Sequence, residues 1–250
     1  MTSPPTPPPE PSPAYTVSPL EQSDYTTAFT LADTCFAALD TLLFTTYPPT
    51  PSSQHSRTES RIRRLARQRH PQPTMFKAVD TLSGAIIGVS HWTVYTEDEE
   101  VPQSVAEVVA EIVSASRSVP EMNAAAVRGF YTIVNRHKRE VLRVDVPVRG
   151  VYGSRGEVVK MAARVELETV FVHPEYRRRG VASALLEWGI REAERLGLMV
   201  YLEATEEGRP VYEKRGFEVL REVRFEAGEF GGQGGCAYTF MARRPMGDTC

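Results

Sequence analysis

The stretch Val165 to Leu186 orders this part of the chain as strand, tight basic turn and helix. Val165, Leu167, Thr169 and Phe171 alternate with Glu166, Glu168, Val170 and Val172, the period of two that a strand requires. His173-Pro174 ends it, because proline donates no hydrogen bond and restricts the residue before it. Arg177 to Ala182 then follow the pattern Gln/Arg-x-x-Gly-x-Gly/Ala, and a helical period begins. Small residues at Gly180 and Ala182 let an anion approach the backbone. The unpaired N–H groups and positive dipole end of a starting helix, here at Val181 to Ser183, can cradle a pyrophosphate. Arg177, Arg178 and Arg179 add charge beside it. The turn alone leaves two readings open, a phosphate cradle and a solvated arginine run.

The other segments arrange themselves around this unit. Residues 1–13 hold seven prolines and no periodic pattern, which predicts a disordered tail. A short strand is expected from Ala14 to Val17. Ser18 is then a candidate N-cap, with Glu21 three residues on and a helical stripe of Tyr25, Phe29, Ala32, Phe36 and Leu39 behind it. Thr58 to Gln68 reads as a basic helix showing Arg61, Arg63, Arg64 and Arg67 to solvent. Met75–Val79 and Ala85–Tyr95 read as a hairpin. Between residues 98 and 160 two helices are expected. One starts at the capping box Ser104–Glu107; the other follows Pro120 and runs to about Leu142. Its Arg136-His137-Lys138-Arg139 cluster reads as a solvated basic end. The turn helix stops at Gly197, and a strand from Met199 to Ala204 follows. Pro210 and Gly216 then bracket a short helix, and Phe217–Phe225 and Cys236–Ala242 are expected to pair antiparallel. This order predicts an α+β fold with a mixed, mostly antiparallel central sheet flanked by helices, and a helical insert before the strand at Val165.

A chain of 250 residues buries one good core. A net charge of −3 and a pI near 6.0 argue against general nucleic-acid binding. Cys35, Cys236 and Cys250 are widely spaced and odd in number, so neither a disulfide framework nor a metal site is expected. No signal peptide or 18-residue apolar run is visible, which places the chain by default in the cytosol or nucleus.

The segments "VFVHPEYRRRGVASALL" and "VYLEATEEGRPVYEKRGFEVL" resemble the GCN5-related N-acetyltransferase (GNAT) superfamily, over about 55 residues taken in order. The upstream "FKAVDTLSGAIIGVSHW" is similar to its paired strands as written in filamentous-fungal members. The resemblance implies a single domain over residues 14–250, with 165–220 as the acetyl-CoA-binding core. The compact family core closes the connection ahead of Val165 with a short turn, so residues 98–160 depart from it. Acetyl-CoA is the implied cosubstrate, with no metal, and an amine is the acceptor. The pyrophosphate would lie on Arg177–Ser183 and the pantetheine arm along Val170, Phe171 and Val172. Tyr212 stands where many members place the tyrosine that protonates the departing thiolate. Glu166 and Glu168 are the candidate bases, Glu203 a third. His173 reads as structural, and His91 as a paired surface histidine. A non-catalytic acyl-CoA-binding module and a regulatory interaction protein are the rival readings.

Overall fold

The computed structural model describes residues 14–67, 71–115, 119–144 and 158–245. The Pro-rich tail at 1–13 and Cys250 lie outside the described residues. The chain opens with β1 (Tyr15–Pro19), α1 (Tyr25–Cys35), α2 (Ala37–Leu43) and α3 (Pro51–Arg67). Next come β2 (Thr74–Asp80), β3 (Ile86–Tyr95), β4 (Glu99–Pro102), α4 (Ala106–Ala115), α5 (Ala124–Leu142) and β5 (Val158–Met161). The C-terminal part holds β6 (Arg164–Val172), α6 (Val181–Leu196), β7 (Met199–Thr205), α7 (Arg209–Glu213), β8 (Glu218–Glu226) and β9 (Gly235–Arg243).

Seven strands form one sheet in the order β1-β2-β3-β6-β7-β9-β8, while β4 and β5 pair separately. Within the large sheet only β6 and β7 run parallel. This is the expected mixed α+β architecture. Helix α6 covers one face, burying Leu186 and Ala193 against Trp92, Val165, Leu167, Leu202 and Met241. On the other face, Ala28 and Ala32 of α1 pack on Met75, Val89 and Phe171. Phe130 of α5 meets Phe225 and Tyr238 edge-on, with centroids 5.4 and 5.3 Å away.

Gly189 permits the α6 contact. A Cβ at that position would stand 2.2 Å from the Trp92 ring. Gly189→Ala gains helix propensity of up to about 1 kcal/mol, but the overpacking costs about 1–3 kcal/mol. We expect a net fall in Tm of several degrees by calorimetry; an unchanged Tm would mean that α6 can stand off from β3.

Several local expectations are corrected. Ser18 caps no helix, because β1 continues to Pro19 and pairs Ser18 with Lys77. The capping box instead joins Glu21 to Asp24, ahead of α1. Helix α3 begins at Pro51, and Arg61 turns inward to donate to Asp33 (2.7 Å) rather than to solvent. The insert is not wholly helical, since β4 and β5 form a two-stranded sheet at its base. Nor is its basic cluster wholly solvated, although Arg136 is exposed. Arg139 is buried and donates to the carbonyls of Pro102 and Asn135 (both 3.0 Å), and Lys138 pairs with Glu166. Asn123, which the sequence reading passed over, caps α5 by accepting from the N–H groups of Ala125 and Ala126 (both 3.1 Å). Glu121 accepts from Ser53 Oγ (2.6 Å) and Thr50 N (2.9 Å), tying the insert to the start of α3.

Candidate active site

Two irregularities in β6 create the site. Opposite β3 the register steps from His91↔Thr169 to Trp92↔Leu167, so Glu168 is an extra residue, a β-bulge. The bulge shifts the alternation. Before it, Val165 and Leu167 face α6; after it, Val170 and Val172 do, and Phe171 turns to α1. On the other edge, β6 pairs with β7 only through Arg164–Leu167 and Met199–Leu202. Past Leu167 the parallel strands part.

A cleft of about 740 Å³ opens there. One wall is Val170–Val172 with the start of α6, Gly180 to Ser183; another is Val211, Tyr212 and Lys214 around α7. Cys35, Phe36 and Leu39 of the α1–α2 corner, and Cys236 of β9, complete it. A second concavity of about 520 Å³, lined by Thr45, Thr50, Ser53 and Glu121, lies at the start of α3 and offers only hydroxyls and one carboxylate.

The turn before α6 has features that could hold an anion. Gly180, its N-cap, has φ +83° and offers no side-chain cap to the first-turn N–H groups. Arg178 adopts φ +65°, a left-handed conformation uncommon outside glycine, of the sort that collects at binding sites. Arg177 donates to Glu207 (3.2 Å), an exposed pair weak enough to be exchanged for a ligand phosphate. The Arg179 guanidinium lies 5.0 Å from the Tyr176 ring centre.

Tyr212 is buried, its ring edge-on to Phe217 at 5.8 Å. Burial alone pushes its phenol well above the usual range, so it holds its proton at neutral pH. Burial likewise pushes the Cys35 thiol up to about 11 and raises Cys236, so neither is a thiolate at neutral pH.

The candidate bases lie apart from the cleft lining, on the sheet face opposite α6 where the strands begin to part. Glu166 is buried and bonded through both oxygens, to Lys138 and to Arg164 Nε (2.8 Å). Burial opposes its charge, yet the two cations hold its carboxyl below the ordinary range. It is ionised but occupied. Glu168 is raised by the surrounding protein and by Glu166, although its residue surface is exposed and solvent tempers the shift. Glu203, half-buried, accepts from the Tyr201 hydroxyl (3.0 Å). Burial raises its pKa to about 7, Lys138 opposing and Glu166 assisting. His91 is corrected: it is half-buried, its Nε2 has no partner, and burial, with Arg64, lowers it to about 4. His173 is structural, its Nδ1 accepting from Glu175 N (3.3 Å) at the end of β6. Among the described residues no group of three His, Cys, Asp or Glu could hold a metal ion, and no helix is long and apolar enough to cross a membrane.

The family model described as "Acetyltransferase (GNAT) domain" matches residues 141–219, the span of β6, the turn before α6, the split and α7. Residues 141–219 are therefore similar to GNAT acetyltransferase domains. The chain is 37% identical over 70 residues to YafP of Escherichia coli (strain K12), an uncharacterized N-acetyltransferase; the match covers 27% of this chain and 44% of that one. A protein of Ajellomyces capsulatus named "Probable acyltransferase SID5" is 41% identical over 46 residues, 18% of this chain and 34% of its own. The chain thus spans less than half the length of the curated relatives it matches. Among solved structures, an agmatine N-acetyltransferase mutant superposes with TM-score 0.57 at 12% identity, covering 92% of this chain and 99% of that one. A Corynebacterium glutamicum structure titled histone acetyltransferase HPA2 and related acetyltransferase reaches 0.52 at 18% identity, covering 95% and 99%. Such identities show the GNAT fold.

Of the residues expected at the site, Val170–Val172, Arg177, Arg178, Gly180–Ser183 and Tyr212 line one cleft, together with Cys35, Leu39 and Cys236, for which no site role was expected. No local signal marks these three, which reach the cleft from distant elements.

Proposed function

We propose that the protein is an N-acetyltransferase that moves an acetyl group from acetyl-CoA directly to a primary amine. The observation that carries this reading is a single cleft in which the uncapped start of α6, the freed edge of β6 and Tyr212 meet. Arg177–Ser183 hold the pyrophosphate. The pantetheine arm lies along Val170–Val172, whose backbone groups β7 no longer pairs, and takes hydrogen bonds as an added strand would. The base removes a proton from the acceptor ammonium, and the amine attacks the thioester carbonyl. The C–S bond then breaks, the thiolate takes the Tyr212 proton, and the second proton lost from the new amide nitrogen returns the tyrosinate to phenol. Of the three carboxylates, Glu203 suits the base best. Glu166 is committed to its cations, and Glu168 is the open alternative. Two protonated cleft thiols favour direct transfer over an acyl-enzyme, and suit a reducing compartment, cytosol or nucleus. Residues 14–250 act as one domain in this reading, and the insert at 98–160 covers the acceptor side. The fungal cast rests on the upstream strands and the 46-residue Ajellomyces match.

The test is acetyl-CoA turnover against a panel of small amines, peptides and histone tails. Because the base works deprotonated, kcat/KM is expected to rise with pH through about 7, the Glu203 value. Glu203→Gln should lower the rate by roughly 10²–10⁴-fold and remove that limb. CoA binding without transfer to any amine would assign the protein instead to non-catalytic acyl-CoA binding.

A further inference from the structure

The geometry points to Lys138, on the insert helix α5, as a positioning residue for the proposed transfer. Its pairing with Glu166 reserves Glu203 as the carboxylate that exchanges a proton with the acceptor amine. This inference rests on the acetyltransferase reading and adds a role for the insert.

Three carboxylates meet where two strands diverge: Glu166 and Glu168 on β6, and Glu203 just past the last β6–β7 pair, Leu167↔Leu202. Like charges so placed do not all ionise unless a cation settles which one does. Lys138 supplies that cation from outside the sheet. Its side chain is 18% exposed and that of Glu166 4%, so neither ion is left to water. An ammonium buried to that extent needs its partner. The Lys138 Nζ also lies 5.9 Å from the centre of the Tyr201 ring, whose hydroxyl donates to Glu203 at 3.0 Å. Arg164 takes the second oxygen of Glu166 and continues to Glu99 (2.7 Å) at the base of the insert. The insert therefore grips Glu166 from both ends, while among the described residues the bonded partner of the Glu203 carboxylate is a neutral phenol.

The charged and titratable groups facing Glu203 are Lys138 from α5, Glu166 and Glu168 from β6, Tyr201 on its own strand and Tyr238 from β9. Among these groups of the described residues, Lys138 is the cation. In the proton step an ammonium N–H bond of the acceptor breaks and an O–H bond forms on Glu203, leaving the amine lone pair free for the thioester carbon. Removing the Lys138 charge disfavours ionised Glu203 and raises its pKa. Arg164 keeps Glu166 charged, so relief from that side does not cancel the effect.

The test follows kcat/KM over about pH 5 to 9 with an amine that the wild-type protein accepts, together with a ¹³C NMR titration of the Glu203 carboxyl. In Lys138→Met both the acidic limb and the Glu203 titration are expected to move up by about one pH unit or more. The KM for acetyl-CoA should hold, and Lys138→Arg should restore the limb. Glu166→Gln leaves the ammonium and removes a negative neighbour, so it should move the same limb down; it carries the test if Lys138→Met does not fold. A rate that falls equally at every pH, or a Glu203 titration unmoved in both variants, overturns the proposal. If no amine supports turnover, the acetyltransferase reading fails, while the substrate-free NMR titration still decides whether Lys138 controls Glu203.

Discussion

Tyr212→Phe is expected to lower kcat by roughly 10²–10⁴-fold while CoA affinity changes little. The ring belongs to the cluster of Trp92, Leu186 and Phe217, and phenylalanine preserves that packing. Only the donor is lost. The proton-transfer match depends on burial acting on both partners. In water a phenol near 10 would face a thiolate near 8.5, a mildly uphill transfer. In this cleft the Tyr212 phenol is raised by burial, but the Cys35 thiol is also pushed up to about 11. A CoA thiolate released in the same cleft would likewise be made more basic by desolvation, so the phenol would remain a competent acid. The interaction forms only as the C–S bond breaks, which places its loss in kcat rather than in ground-state binding. Single-turnover kinetics with calorimetric CoA titration separate the two. A Tyr212→Phe protein with wild-type kcat and rate-limiting chemistry would transfer the acid role to water or another group.

What could be read from the sequence divides by range. The turn at Arg177–Ala182, the stop at Gly197 and the hairpin of β2 and β3 rest on local chemistry, and all three elements stand where their residues put them. The bulge at Glu168 is set by how β6 meets β3. Nothing in the alternation from Val165 to Val172 announces that its two halves face opposite sides. The Arg136–Arg139 cluster misled for a related reason. A charge run at a helix end normally meets water, but the partner of Lys138 lies 28 residues on, in a strand. Long-range packing likewise decides which of the three candidate carboxylates best suits the proposed base. Glu203 gains its high proton affinity from burial and from Glu166, neither of which an isolated strand sequence displays.

Gly180→Glu is expected to weaken CoA binding by at least about 100-fold. That factor corresponds to about 3 kcal/mol, the loss of one or two charge-assisted hydrogen bonds at about 1.5–3 kcal/mol each. Two effects could produce it, and the structure lets them be separated. Gly180 sits at φ +83°, so any side chain there carries strain of about 1–2 kcal/mol. A carboxylate at the same point also occupies the positive end of α6, where it would favour the helix while excluding the phosphates. Gly180→Ala carries the strain without the charge, and its Cβ meets nothing closer than the Tyr15 hydroxyl at 3.4 Å. Gly197, at φ +66° with open space around it, closes the far end of the same helix. Gly197→Ala therefore repeats the strain away from the cleft. Both alanine variants should lose a similar, small amount of stability. Gly197→Ala should bind CoA as wild type, Gly180→Ala somewhat more weakly, and only Gly180→Glu should lose the two decades. Wild-type affinity in a folded Gly180→Glu protein would remove the α6 N-terminus from the cofactor site and leave the cleft without its phosphate anchor.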